Sequence, residues 1–134
     1  MALQYSQAVV NAKLDAIEST IGAAAVLKIR SGTVPANIAT ADAGTVLATL
    51  TLPSDWMSAA SGGSKAKLGT WQDTSADATG TAAHFRVYAA DGTTAHIQGT
   101  VGTSGTDMIV DSVSFTATQA FTINSFTITS ANYP

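Results

Sequence analysis

His84-Phe85-Arg86-Val87-Tyr88-Ala89-Ala90-Asp91-Gly92-Thr93-Thr94-Ala95-His96-Ile97-Gln98 is the stretch on which the fold reading turns. Alternating apolar and polar residues on either side of Asp91-Gly92 predict two antiparallel strands joined by a tight turn. A two-residue loop would set Val87 opposite His96 and Phe85 opposite Gln98, mixing apolar with polar. A three-residue loop, with Gly92 in the left-handed region, sets Phe85 opposite Ile97 and Val87 opposite Ala95. The second register is the expectation. It places His84, Arg86 and Tyr88 on an outer face, across from Gln98, His96 and Thr94.

Similar short segments rich in Val, Ile, Thr and Phe recur through the rest of the chain, separated by Gly, Asp, Ser and Pro. They predict strands at 25–30, 45–52, 65–71, 81–89, 93–101, 108–115 and 120–129, with long loops at 32–44, 54–64 and 72–80. Seven strands at near-regular spacing predict a mainly β fold, an antiparallel β-sandwich or jelly roll. In the last strand, Phe121 and Ile123 share one parity and Phe126 and Ile128 the other, so a bulge or bend is expected at Asn124-Ser125. One segment alone has helical periodicity. Val10, Leu14, Ile17 and Ile21 recur at spacings of three and four, framed by Ser6 as N-cap and Gly22 as C-terminal stop. The expected organisation is an N-terminal arm and amphipathic helix at 1–22, followed by a β domain at 25–134 in a single globular unit.

The chain has 134 residues, a length suited to one domain, and only 11% of them are charged against about 25% in ordinary soluble proteins. Ala, Thr, Ser and Gly supply about half of the residues. With 46% hydrophobic residues the chain is too apolar for a disordered segment. Its exterior is therefore expected to be bland and uncharged. Six scattered basic residues and a net charge of −3 argue against a nucleic-acid partner. Without cysteine there is no disulfide framework and no Cys-based metal or redox site. No apolar run approaches the roughly 20 residues of a membrane span, and no secretory leader pattern opens the sequence, so synthesis and retention in a cytoplasm are expected.

Chemistry-bearing residues are sparse. His84, Arg86, Tyr88 and His96 form the one cluster suited to acid, base or metal work, but no carboxylate stands in register to orient a histidine and no third metal ligand accompanies the pair. A partly solvated or subunit-facing polar patch is the plainer reading. Residues 73–80 carry oxygen side chains at alternate positions, yet glycine falls at the eighth place and His84 at the twelfth, unlike a calcium loop. Ser61-Gly62-Gly63-Ser64-Lys65 lacks the spacing of a phosphate loop and reads as a flexible linker. Trp56, Met57 and Trp71 read as lids over one end of the core. Leu3, Tyr5 and Val9 extend apolar character beyond what a helical tether needs, which suits contact with a neighbour.

Long strings of this sequence also resemble a known family. They are Ala2-Leu3-Gln4-Tyr5-Ser6, Asn11 to Glu18, Ala25 to Gly32, Pro35-Ala36-Asn37, Leu52 to Met57 and Lys65-Ala66-Lys67 with Gly69-Thr70-Trp71. Gly80-Thr81-Ala82, His84-Phe85-Arg86 and Asp91-Gly92-Thr93-Thr94 complete the set. Together they resemble small proteins encoded among the structural genes of tailed bacteriophages and prophages. The resemblance implies a virion structural protein with no enzymatic activity and no cofactor.

Within that family role, a capsid decoration or cement protein is the leading expectation. It would be made in the bacterial host cytoplasm and sit on the capsid exterior, with the major capsid protein and copies of itself as partners, a trimer being favoured. Neither nucleic acid nor membrane is expected as a partner. Small uncharged side chains let protein surfaces approach without desolvating many charges. The expected interface comprises Leu3, Tyr5, Val9, Trp56, Met57, His84, Arg86, Tyr88 and His96. A neck, tail or fibre-associated protein with an assembly or glycan-binding role is the alternative, and a binding module or enzyme using His84, Arg86 and His96 is a third.

Overall fold

The computed structural model describes residues 2–132. Residue 1 of the expected arm and residues 133–134 of the expected β domain lie outside the described residues. The fold is mainly β with one helix.

Helix α1 (Gln7–Ile21) starts where the sequence places it, the Ser6 side chain accepting the Val9 N–H at 3.3 Å. It ends at Gly22, whose φ of 93° is a conformation that glycine adopts without strain. Val10, Leu14 and Ile21 are buried and Ile17 packs partly against the core, as the periodicity predicts.

Strands β1 (Val26–Arg30), β2 (Val46–Thr51), β6 (His84–Tyr88), β7 (Ala95–Gly102) and β8 (Met108–Ile109) make a sheet of order β2-β1-β6-β7-β8. The β7–β8 pair is parallel, so the sheet is mixed rather than wholly antiparallel. Three two-stranded ribbons complete the β structure: β10 (Phe121–Ile123) with β4 (Trp71–Asp73), β11 (Thr127–Thr129) with β3 (Ser64–Ala66), and β5 (Gly80–Thr81) with β9 (Ser114–Phe115).

Four of the expected long strands are thus broken in two. The 65–71 segment breaks at Gly69, whose φ is 74°. The 81–89 segment changes partners at Ala82-Ala83, where one N–H donates to Val113 and the next to Arg30. Between β8 and β9 the chain leaves strand geometry at 110–113. The last segment bends at Asn124-Ser125 as parity demands, and Ile123 and Phe126 on either side of the bend both reach the core.

The turn chemistry at Asp91-Gly92 differs from expectation in an instructive way. The Ala89 N–H donates to Thr94 O at 2.9 Å, closing a four-residue loop at 90–93, and a bulge follows between Val87 and Tyr88. An even-length loop reverses the facing of β7, and the bulge residue, His96, restores it. Phe85 and Val87 therefore do face inward, but opposite Gly99 and Ile97 rather than Ile97 and Ala95.

Leu27, Ile29, Ala48, Leu50, Phe85 and Val87 line the inner face of the sheet and are buried. Facing them is a chain of aromatic rings. Trp56 lies 6.0 Å from Trp71, Trp71 lies 5.7 Å from Phe126, and Phe126 meets Phe85 edge-on at 5.7 Å. Both indoles are satisfied: Trp56 Nε1 donates to Gly22 O at 3.0 Å, and Trp71 Nε1 to Leu68 O at 3.1 Å.

Candidate functional site

The opposite face of the sheet carries the polar side chains that the sequence singles out. Register places Lys28, Arg86 and Gln98 in one row and Arg30, His84 and Thr100 in the next. This face is only partly solvated. Loop 32–44 folds back across it, and His84, Arg86 and Tyr88 are buried. The expectation of an outer contact surface at these three residues is thereby corrected.

Asp42 is the residue that holds the loop down. Its carboxylate accepts from Arg86 Nη1 at 2.7 Å, Tyr88 Oη at 2.8 Å and Arg30 Nη2 at 3.3 Å. Arg86 further donates to Thr40 O at 2.7 Å, Asn37 O at 3.3 Å and Gln98 Oε1 at 2.8 Å. Gln98 Nε2 reaches Pro35 O at 2.9 Å. A carboxylate does join the cluster, although no strand supplies it.

The His84 ring lies 3.3 Å from Gly32 O through Nδ1, while Nε2 is buried without a partner. Burial holds its pKa below the ordinary histidine value; carbonyl oxygens of Gly32 and Ala43 oppose the shift, and Arg30 and Arg86 reinforce it. Burial, with the bond to Asp42, pushes the Tyr88 phenol up. The cluster thus has its histidine sealed and its carboxylate engaged by two guanidiniums and a phenol. What the arrangement does is clamp a loop.

His96, the bulge residue, is exposed and separate from this cluster. It lines an open groove of about 640 Å³ beside Ile17, Ile97 and Ile128, between α1, β7 and β11. Among the described residues, no group of three His, Asp or Glu side chains is placed to hold a metal ion, and no helix is long and apolar enough to cross a membrane.

Trp56 and Met57 are buried core residues, so they too are corrected as interface candidates. Their backbone N–H groups donate to Glu18 Oε1 at 2.9 and 3.1 Å. Beside them Lys65 is buried, with Asp15 Oδ1 at 2.9 Å, Glu18 Oε2 at 3.3 Å and Ser58 O at 2.9 Å. The bond from Lys65 and the Ala60 N–H hold the Asp15 carboxyl below its usual range, whereas the neighbouring Glu18 carboxyl pushes Asp55 up. Helix α1 is therefore pinned by its polar side as well as its apolar stripe.

The two loop resemblances resolve into turn chemistry. Gly62 and Gly63 have φ of 59° and 77° between mutually bonded Ser61 and Ser64, an ordered tight hairpin rather than a flexible linker. Asp73 accepts the Thr49 N–H at 2.9 Å, and Asp77 accepts the Thr49 hydroxyl at 2.7 Å. These carboxylates seal the outer edge of β2 instead of facing a cation.

Leu3 and Val9 are exposed, Leu3 by 67%, while Tyr5 is half-buried with Lys13 Nζ 4.5 Å from its ring. The arm is tied to the other end of the described chain, Tyr5 N donating to Asn132 O at 2.9 Å. Among the described residues, Lys13 alone of the six Lys and Arg is exposed, the others being buried or half-buried. The outer surface of loop 32–44 runs Ala36-Asn37-Ile38-Ala39-Thr40-Ala41, all exposed, and its one charge, Asp42, is engaged from beneath. Arg30, Lys28 and Asp42 escaped the sequence reading, although alternation along β1 puts Lys28 and Arg30 on one face.

No protein-family model, curated protein or solved structure matches the chain.

Proposed function

We propose that this chain is a non-enzymatic virion structural protein of a tailed bacteriophage, acting as a capsid decoration protein on the head exterior. In this reading it binds the major capsid protein and copies of itself, as a trimer, and the five-stranded sheet with its facing ribbons forms a β-sandwich. The observation that carries the reading is the surface of loop 32–44. An uncharged strip centred on Ile38, 40% exposed, is held in place by a partly buried ion-pair network.

A rigid apolar-tipped loop loses little entropy on contact and needs few charges desolvated, which suits many modest contacts repeated over a lattice. The resemblance of this chain's sequence strings to small phage structural proteins points to the same assignment. Quantitative proteomics of virions tests it, with hundreds of copies per head expected. A few copies at one end of the particle would overturn it in favour of a neck, tail or fibre position. Ile38→Glu should also prevent incorporation into particles while leaving thermal stability unchanged, since the site is on the surface.

A further inference from the structure

Strands β9 and β10 are joined by the turn at Thr116–Gln119, yet β9 pairs with β5 and β10 with β4, so the two strands splay apart. A cleft of about 250 Å³ opens in the wedge. Phe115 is buried at its base and half-buried Phe121 forms a wall, their ring centroids 4.5 Å apart. Exposed hydroxyl, amide and carboxyl groups of Asp111, Ser114, Gln119 and Asn124 surround the rings.

These polar groups are held by their own neighbours. Asn124 Nδ2 donates to Asp111 Oδ2 at 2.7 Å, which leaves Asp111 Oδ1 and Asn124 Oδ1 as acceptors without a partner in that bond. Gln119 Oε1 accepts the Thr116 N–H at 3.2 Å, which leaves its Nε2 to donate. No Lys, Arg or His lines the cleft, and the single carboxylate disfavours phosphates and other anions. The space is too small and too polar for a lipid chain.

We propose that this cleft binds a neutral carbohydrate ring. The apolar C–H face of a pyranose would lie on Phe121, and its hydroxyls would meet the Asp111–Asn124 acceptors and the Gln119 donor, groups already ordered before the ligand arrives. The inference does not depend on the place of the protein in a particle, so virion copy number and sugar binding succeed or fail separately.

The test is an amide NMR titration of the full chain with glucose, galactose, mannose and N-acetylglucosamine as methyl glycosides and short oligomers. Saturable shifts are expected for the Ser114 and Gln119 amides and the Asn124 side-chain amide with at least one of these sugars. Asp111→Asn, which keeps an acceptor for Asn124, should weaken binding about tenfold with the rest of the spectrum unchanged. Phe121→Leu, which preserves bulk against Phe115, should weaken it as well. An absence of shifts at the cleft, shifts undiminished in Asp111→Asn, or an equal response to glycerol would overturn the proposal.

Discussion

The Asp42 carboxylate lies 2.7 Å from the Arg86 guanidinium, joining a loop to a strand 44 residues further along the chain. Arg86 is buried, and three other bonds from its guanidinium end on that loop or on Gln98. Asp42→Ala would leave Arg86 and Arg30 without their carboxylate beneath the loop. Removing one member of a buried pair costs about 3–5 kcal/mol, and with the Asp42 side chain still 31% exposed we expect the lower end, about 3 kcal/mol. Urea unfolding would measure the loss, and limited proteolysis should show new cleavage within 32–44.

The sealed imidazole of His84 gives stability a pH dependence of defined sign. Its pKa in the fold lies below the ordinary value of 6.5, so under mild acid the unfolded chain takes up a proton that the folded chain does not. This contribution is therefore fully present above pH 6.5 and is lost as pH falls from there through the folded value. Denaturant titrations at about pH 7.5 and about pH 5.5 should show the decline, and His84→Gln should flatten it.

Glu18 and Lys65 belong to one ion cluster, and removing either should destabilise the fold. Glu18→Ala strands the Trp56 and Met57 N–H groups and weakens the pairing of a buried Lys65, a loss of about 2 kcal/mol. Lys65→Met fills the volume but leaves the largely covered Glu18 carboxylate and Asp15 without their cation and the Ser58 carbonyl without its donor, so it should cost at least as much, about 3 kcal/mol. Thermal unfolding of the two variants side by side would decide the matter.

At Gly44 a side chain has nowhere to go. Its φ is 80°, and a Cβ would overlap the carbonyl oxygen of Ser31 at the base of the clamped loop. Gly44→Ala is expected to cost about 2–3 kcal/mol by backbone strain. At Gly92, whose φ of 70° is similar but whose Cβ direction is open, alanine should cost about 1 kcal/mol. Comparing the two melting temperatures separates the clash from the conformational term.

Local rules fixed much of this protein in advance. The α1 stripe and its Ser6 and Gly22 ends, the strand content, and the bend between Ile123 and Phe126 all follow from periodicity and parity, which depend on neighbouring residues. The inward facing of Phe85 and Val87 was legible for the same reason. The exact pairing was not, because an even loop followed by a bulge at His96 preserves facing while sliding the register. The sharpest differences arise where residues distant in sequence meet. Nothing local to His84, Arg86 or Tyr88 announces that Asp42 will cover them, and nothing near Lys65 announces Asp15 and Glu18. Sequence alone determined a chain poor in charge. Only the tertiary structure decided that much of that charge, above all Arg86 and Lys65, is drawn inward to pin a loop and a helix, because a buried ion needs partners and long-range folding alone can bring them.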